Sequence, residues 1–186
     1  MDFSAFSHGQ IQSKLWLCKH LEPHLPENSR TAILGSWYNT LGFLLLARNP
    51  EKFESITAMD IEPESILTSN KLMDAWMIGE DLKVKNVLKS VYQLTQKDLE
   101  VFHVIINTNC ENMDTDWYGL TNPNHLVCLQ TSNRVTDEPS WGVVNPNPDM
   151  DTFKRKYRMS QILFEGEKVF DYGHLKYSRY MLIGKI

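Results

Sequence analysis

The chain has 186 residues, long enough to bury most of its apolar surface around one core without disulfides or a structural metal. With 42% hydrophobic, 11% aromatic and 23% charged residues it matches an ordinary globular domain, which excludes an intrinsically disordered chain. The formal net charge of -4 does not support general nucleic-acid binding, which needs surplus Lys and Arg, although a local basic patch for such a partner stays open.

Cys18, Cys110 and Cys128 are an odd set without CxxC spacing, so neither a disulfide framework nor a zinc ribbon is expected, and a reducing cytoplasm fits. The N-terminal stretch lacks the basic start and apolar core of a signal peptide. The longest purely apolar run, Phe43 to Ala47, is too short to span a bilayer, so no membrane partner is expected. The histidines are scattered without metal-ligand spacing, and no metal is expected.

In chain order, residues 10–22 place Ile11, Leu15, Leu17, Cys18 and Leu21 near one helical face, with Trp16 at its edge and Pro23 and Pro26 closing the segment. TAILGS then reads as a buried strand ending at Gly35 and Ser36, followed by an apolar helix from Trp37 to Arg48. The pair repeats: SITAMDI ends at Asp60, and Pro63 opens a helix running to Ile78, with Gly79 as its stop. VKNVLKS predicts a third strand, Gln96 to Leu99 a helical turn, VFHVIINT a fourth strand and HLVCLQTSN a fifth. Residues 131–149 read as a long loop, Met150 to Met159 as a short helix, and QILFEGEKVF with YSRYMLIGKI as an antiparallel hairpin. The expected fold class is α/β: one Rossmann-like domain over residues 1–186, a mostly parallel sheet covered on both faces, closed by an antiparallel C-terminal hairpin.

Ligands of such sheets gather at the carboxyl ends of the strands. Gly35, Ser36, Trp37 and Tyr38 form the turn after the first strand; Gly35 and Gly42 alone do not make a pyrophosphate-gripping G-x-G-x-x-G, so a cofactor without phosphates is favoured. Asp60 ends the second strand, followed by Ile61, at an interval suited to accepting hydrogen bonds from ribose hydroxyls; an ordinary cap is the alternative. Ser90 and Val91 end the third strand, where a base would lie. Asn107, Thr108, Asn109 and Glu111 follow the fourth: Asn107 is a candidate for holding the cofactor or reacting groups, and Glu111 for a general base or the holder of a cationic group. Lys14, Trp117, Gln130, Ser132 and Asn133 are candidates for lining the acceptor pocket. Cys110 reads as a small buried apolar residue.

The series ILGSWYNTLGF, AMDIEP, VIINTNCENMDTDWY, HLVCLQTSN and YSRYMLIG resembles the class I S-adenosylmethionine-dependent methyltransferases, especially small phage and bacterial members. The resemblance runs from about residue 8 to the C-terminus. It implies seven strands with the last inserted antiparallel. It also implies S-adenosylmethionine at Gly35 to Tyr38, with Asp60 on the ribose, Ser90 and Val91 beside the adenine, and Asn107 to Glu111 near the methyl group. The Gly-rich E/D-x-G-x-G-x-G loop, the Asn/Asp-Pro-Pro-Tyr/Phe motif and Pro-Cys are absent, so the methyl acceptor stays open between small molecule and nucleic acid. A non-catalytic binding module, cofactor cleavage and aminopropyl transfer are the alternatives; nicotinamide oxidoreduction trails for want of a phosphate loop. The oligomeric state is not encoded in any pattern.

Overall fold

The computed structural model describes residues 2–76, 83–134 and 142–186. After a single 3-10 turn, Phe3–Phe6, come α1 (His8–Leu21), β1 (Ser29–Leu34), α2 (Thr40–Arg48), β2 (Phe53–Asp60), α3 (Pro63–Trp76) and β3 (Val84–Leu88). There follow α4 (Gln96–Leu99), β4 (Val104–Asn107), β5 (Leu126–Ser132), α5 (Met150–Lys156), β6 (Gln161–Asp171) and β7 (Lys176–Lys185).

The seven strands form one sheet in the order β3-β2-β1-β4-β5-β7-β6. Parallel pairing links the first five, while β7 is antiparallel to both β5 and β6. The inferred architecture is therefore present, with β7 inserted and β6 as the outer edge. The sheet separates two apolar layers. On one face Ile33, Ile56, Val104 and Cys128 pack with Leu17 and Leu21 of α1 and with Leu41 and Leu45 of α2. On the other, Ala32, Ile105, Val127 and Leu182 pack with Trp117, Phe153 and Tyr157. Fully buried β4 and β5 explain why these segments read as continuous apolar runs rather than alternating ones.

Boundaries shift where backbone conformation overrides apolar pattern. The second helix begins at Thr40 instead of Trp37, because Trp37 and Asn39 adopt left-handed φ of 50° and 51°. Asn39 then caps the helix, its side chain accepting from the Gly42 amide at 3.1 Å. The buried stripe of α1 is Gly9, Ser13, Lys14, Leu17, Cys18 and Leu21, so Ile11 and Leu15 sit outside it. Thr131 and Ser132 belong to β5, not to the loop. The short helix stops at Lys156 rather than Met159, and Gly79 lies outside the described residues.

The β6–β7 pair carries a bulge between Ile162 and Phe164, opposite Gly184. A Cβ at Gly184 would collide with the carbonyl oxygen of Gln161, a backbone atom that has no rotamer to move into. Gly184→Ala is therefore expected to destabilise the fold by about 1–3 kcal/mol. Urea unfolding checks this as a lowered midpoint with an unchanged m-value.

Candidate functional site

The strand order places the crossover between β1 and β4, and the cleft opens there, beyond the carboxyl ends of those strands. Gly35 leaves β1 with a left-handed φ of 62°. The Ser36 amide donates to the Met59 carbonyl at 3.0 Å, and the Trp37 amide to Asp60 Oδ2 at 2.7 Å. The other Asp60 oxygen accepts from the Glu62 amide at 2.9 Å. Residue 60 thus caps its own turn and at the same time ties the end of β2 to the loop after β1. The cap reading of this aspartate is thus observed, and since a carboxylate offers about four acceptor positions, two are left over.

Three adjoining hollows make up the cleft. The largest, about 450 Å³, is bounded by Gly35, Ser36, Trp37, Asp60, Thr108 and Lys14. A second, about 160 Å³, is reached past Gly35 and Asp60 and is lined by Ile61, Ser90 and Val91. A third, about 330 Å³, holds Glu111, Ser132 and Arg179, and shares Asn109 and Asn112 with the first. Nine predicted site residues therefore meet in the first two hollows, and Glu111 opens onto the third.

Other candidates lie elsewhere. Asn107 is fully buried: its amide donates to the Met113 sulfur and its Oδ1 accepts from the Asn109 amide, so its polar atoms fix the turn after β4. Trp117, 2% exposed, packs against Tyr118 and Tyr157 in the core instead of reaching an acceptor. Gln130 is buried between β5 and α1, donating to the Ser13 carbonyl and accepting from its hydroxyl. Asn133 binds Ser178 and Tyr180 at the β5–β7 ladder. The Tyr38 hydroxyl accepts from the Asp2 amide and pins the N-terminal turn, while its ring stacks on Trp37. Asn107 and Asn133 share one cause: a polar residue at a strand end satisfies the backbone first when a turn or neighbouring strand lies within reach.

Sequence reasoning passed over Gln10, Asn112 and Arg179. Arg179 carried a usable signal, a lone cation inside the apolar strand YSRYMLIG. It is 9% exposed, and its Nη1 donates to the Thr108 carbonyl while Nε has no partner. Ser36 Oγ and Asn112 Oδ1 are likewise buried without hydrogen bonds. These buried atoms beside the cleft keep unmet hydrogen-bonding capacity.

Lys14 is 6% exposed, with Nζ bonded to Gln10 Oε1 at 3.0 Å. Burial, and then the neighbouring Arg179 guanidinium, lower its ammonium to about 7. Unfolded, the same group titrates near 10.5, so between these values the unfolded chain binds the extra proton and folding stability rises with pH. Free of ligand, the protein is expected to gain on the order of a few kcal/mol from Lys14 across that window. Comparing the denaturation free energies of the parent and Lys14→Met from pH 6.5 to 10.5 isolates the contribution; parallel curves would contradict it.

No protein-family model and no curated protein sequence matches the chain. Solved structures do. N-methyltransferase NodS from Bradyrhizobium japonicum WM9, in complex with S-adenosyl-L-homocysteine, superposes with a TM-score of 0.68 at 11% identity over 94% of this chain and 87% of that one. The N-terminal domain of EvdMO1, in the presence of S-adenosyl-L-homocysteine and D-fucose, gives 0.64 at 14% identity, covering 94% and 83%. Magnesium protoporphyrin IX methyltransferase (ChlM) from Synechocystis PCC 6803, with bound S-adenosylmethionine, gives 0.60 at 9% identity, covering 94% and 77%. At these identities the likeness is one of fold: this chain has the Rossmann-like fold of those proteins over nearly its whole length.

Proposed function

We propose that the chain is an S-adenosylmethionine-dependent methyltransferase whose cofactor lies across the first two hollows. The observation that carries this is the direct meeting of the Asp60 carboxylate with the Trp37 amide on a cleft that continues to Ile61, Ser90 and Val91. Asp60 keeps two acceptor positions for ribose hydroxyls. Ile61 is largely exposed beside Ser90 and Val91, an apolar wall suited to the face of a purine. The unpartnered Ser36 hydroxyl and the amino group of Lys14 suit the amino-acid end of such a ligand.

The charges also discriminate against phosphates. Asp2, Asp60 and Glu62 all border the large hollow, and a pyrophosphate there would meet carboxylates, whereas a sulfonium is a cation. The bound cofactor supplies an already activated methyl group; the protein's task is to orient the acceptor and take up a proton. Glu111 is the group placed for that task, on the hollow that adjoins the cofactor cleft through Asn109 and Asn112.

The solved neighbours carry different acceptor chemistries, N-methyl transfer in one name and a porphyrin in another, so fold alone does not select the acceptor. No helix among the described residues is long and apolar enough to cross a membrane. The three buried free thiols support placement in a reducing cytoplasm.

Calorimetry with S-adenosylmethionine, S-adenosylhomocysteine and NAD tests the reading. The first two are expected to bind and NAD not, and Asp60→Ala to weaken S-adenosylhomocysteine by at least about tenfold, or about 1.4 kcal/mol. Tighter binding of NAD, or no binding of either sulfur ligand, would overturn it.

A further inference from the structure

The hollow beside Glu111 holds two charges that the fold leaves unmatched. Glu111 sits in the single 3-10 turn Cys110–Asn112 and is 7% exposed. Its carbonyl accepts from the consecutive amides of Val144 and Asn145, at 3.1 and 3.0 Å, so its backbone is held by two hydrogen bonds from one segment. Its Oε1 accepts from the Ser132 hydroxyl at 2.9 Å, which fixes the side chain as well. Oε2 has no partner. Arg179 lines the same hollow, as does Arg134, and the buried Nε of Arg179 likewise has no partner. No ion pair joins Glu111 and Arg179 among the described residues, although both are buried and line one space.

A carboxylate and a guanidinium that are both buried and line one space without an ion pair between them favour a ligand carrying both complementary charges. That ligand must offer a donor, best a cationic one, to Oε2 and an anionic acceptor to Arg179. The hollow measures about 330 Å³, a volume that suits a small molecule.

We propose that this hollow is the acceptor site for a small zwitterion of amino-acid type, its basic nitrogen held by Glu111 and its anionic group turned toward Arg179; the assignment as acceptor rests on the methyl-transfer reading above. Glu111 then has a defined chemical role. The substrate ammonium gives a proton to Oε2, and the freed lone pair forms the N–C bond as the electron pair of the breaking S–C bond stays on sulfur. The proton on Glu111 leaves to solvent, and the nitrogen retains its remaining hydrogens and the new methyl. A hydroxyl acceptor suits the site less well, because it brings no positive charge to a buried carboxylate.

The test is ligand-observed NMR with the proteinogenic amino acids, β-alanine and 4-aminobutyrate. Hydroxy acids of matching skeleton (glycolate, lactate and 4-hydroxybutyrate) serve as controls, with and without saturating S-adenosylhomocysteine. At least one amino acid is expected to bind at least about fivefold more tightly than its hydroxy counterpart. Glu111→Gln, nearly identical in shape, should erase that preference while leaving S-adenosylhomocysteine affinity within about twofold. Ser132→Ala, which frees Oε1 without removing the charge, should retain the preference for nitrogen. Equal binding of amino and hydroxy acids, a preference that survives in Glu111→Gln, or binding of no amino acid would overturn the proposal. Loss of S-adenosylhomocysteine binding alone, with the nitrogen preference intact, would instead sink the cofactor assignment and leave the zwitterion site standing.

Discussion

One carboxylate organises the upper rim of this sheet. Asp60 holds the Trp37 amide with one oxygen and the Glu62 amide with the other, and by doing so it fixes the distance between the ends of β1 and β2. The loop it captures is conformationally demanding. Gly35, Trp37 and Asn39 all have positive φ within five residues, and for the two with side chains this costs of the order of 1 kcal/mol or more each. Such a path persists only when hydrogen bonds over-determine it, here from Asp60, from Met59 and from the Asn39 side chain at the helix start. The strained turn keeps the backbone out of the space above the strands. That space is the cleft.

The opposite wall is built by another logic. After β4 the chain turns through Asn107, whose side chain is consumed by the Asn109 amide and the Met113 sulfur. Because Asn107 secures the turn, Asn109, Glu111 and Asn112 are delivered to the cleft. Gly35 also lies close to Met113, and both line the second hollow, so the two walls meet there. The residue most exposed to chemical attention in the sequence is thus a support for its neighbours, and the residue four positions later opens onto the hollow.

How much of this was legible in the residues follows from what sets each feature. Strand and helix identity depends on burial periodicity, which is local, and every strand and helix inferred has its counterpart. Start points of helices depend on φ signs, which apolar pattern does not carry; hence Trp37 was assigned to a helix that begins at Thr40. The site divides likewise. Gly35, Asp60, Ser90 and Glu111 sit at strand ends, where sequence position fixes location. Trp117 and Gln130 also follow or end strands, but their orientation is decided by packing partners remote in sequence, Tyr157 in one case and Ser13 in the other. Arg179 joins the cleft because β7 is inserted beside β5, a consequence of sheet order that no local pattern expresses.

That insertion also explains why buried charge concentrates here. Among the described residues Lys14, Arg179 and Glu111 are the Lys, Arg, Asp and Glu side chains buried to within a tenth of full exposure, and they come from α1, β7 and the turn after β4. None has an ion-pair partner among the described residues. In a core this would be an error, since each charge gives up its hydration without compensation. At the rim of a cleft the same burial leaves capacity open at particular atoms: Glu111 Oε1 is met by Ser132, while Glu111 Oε2 and Arg179 Nε have no partner. On the methyl-transfer reading proposed above, a ligand that meets these atoms offsets their desolvation, and its charge pattern is what the site selects.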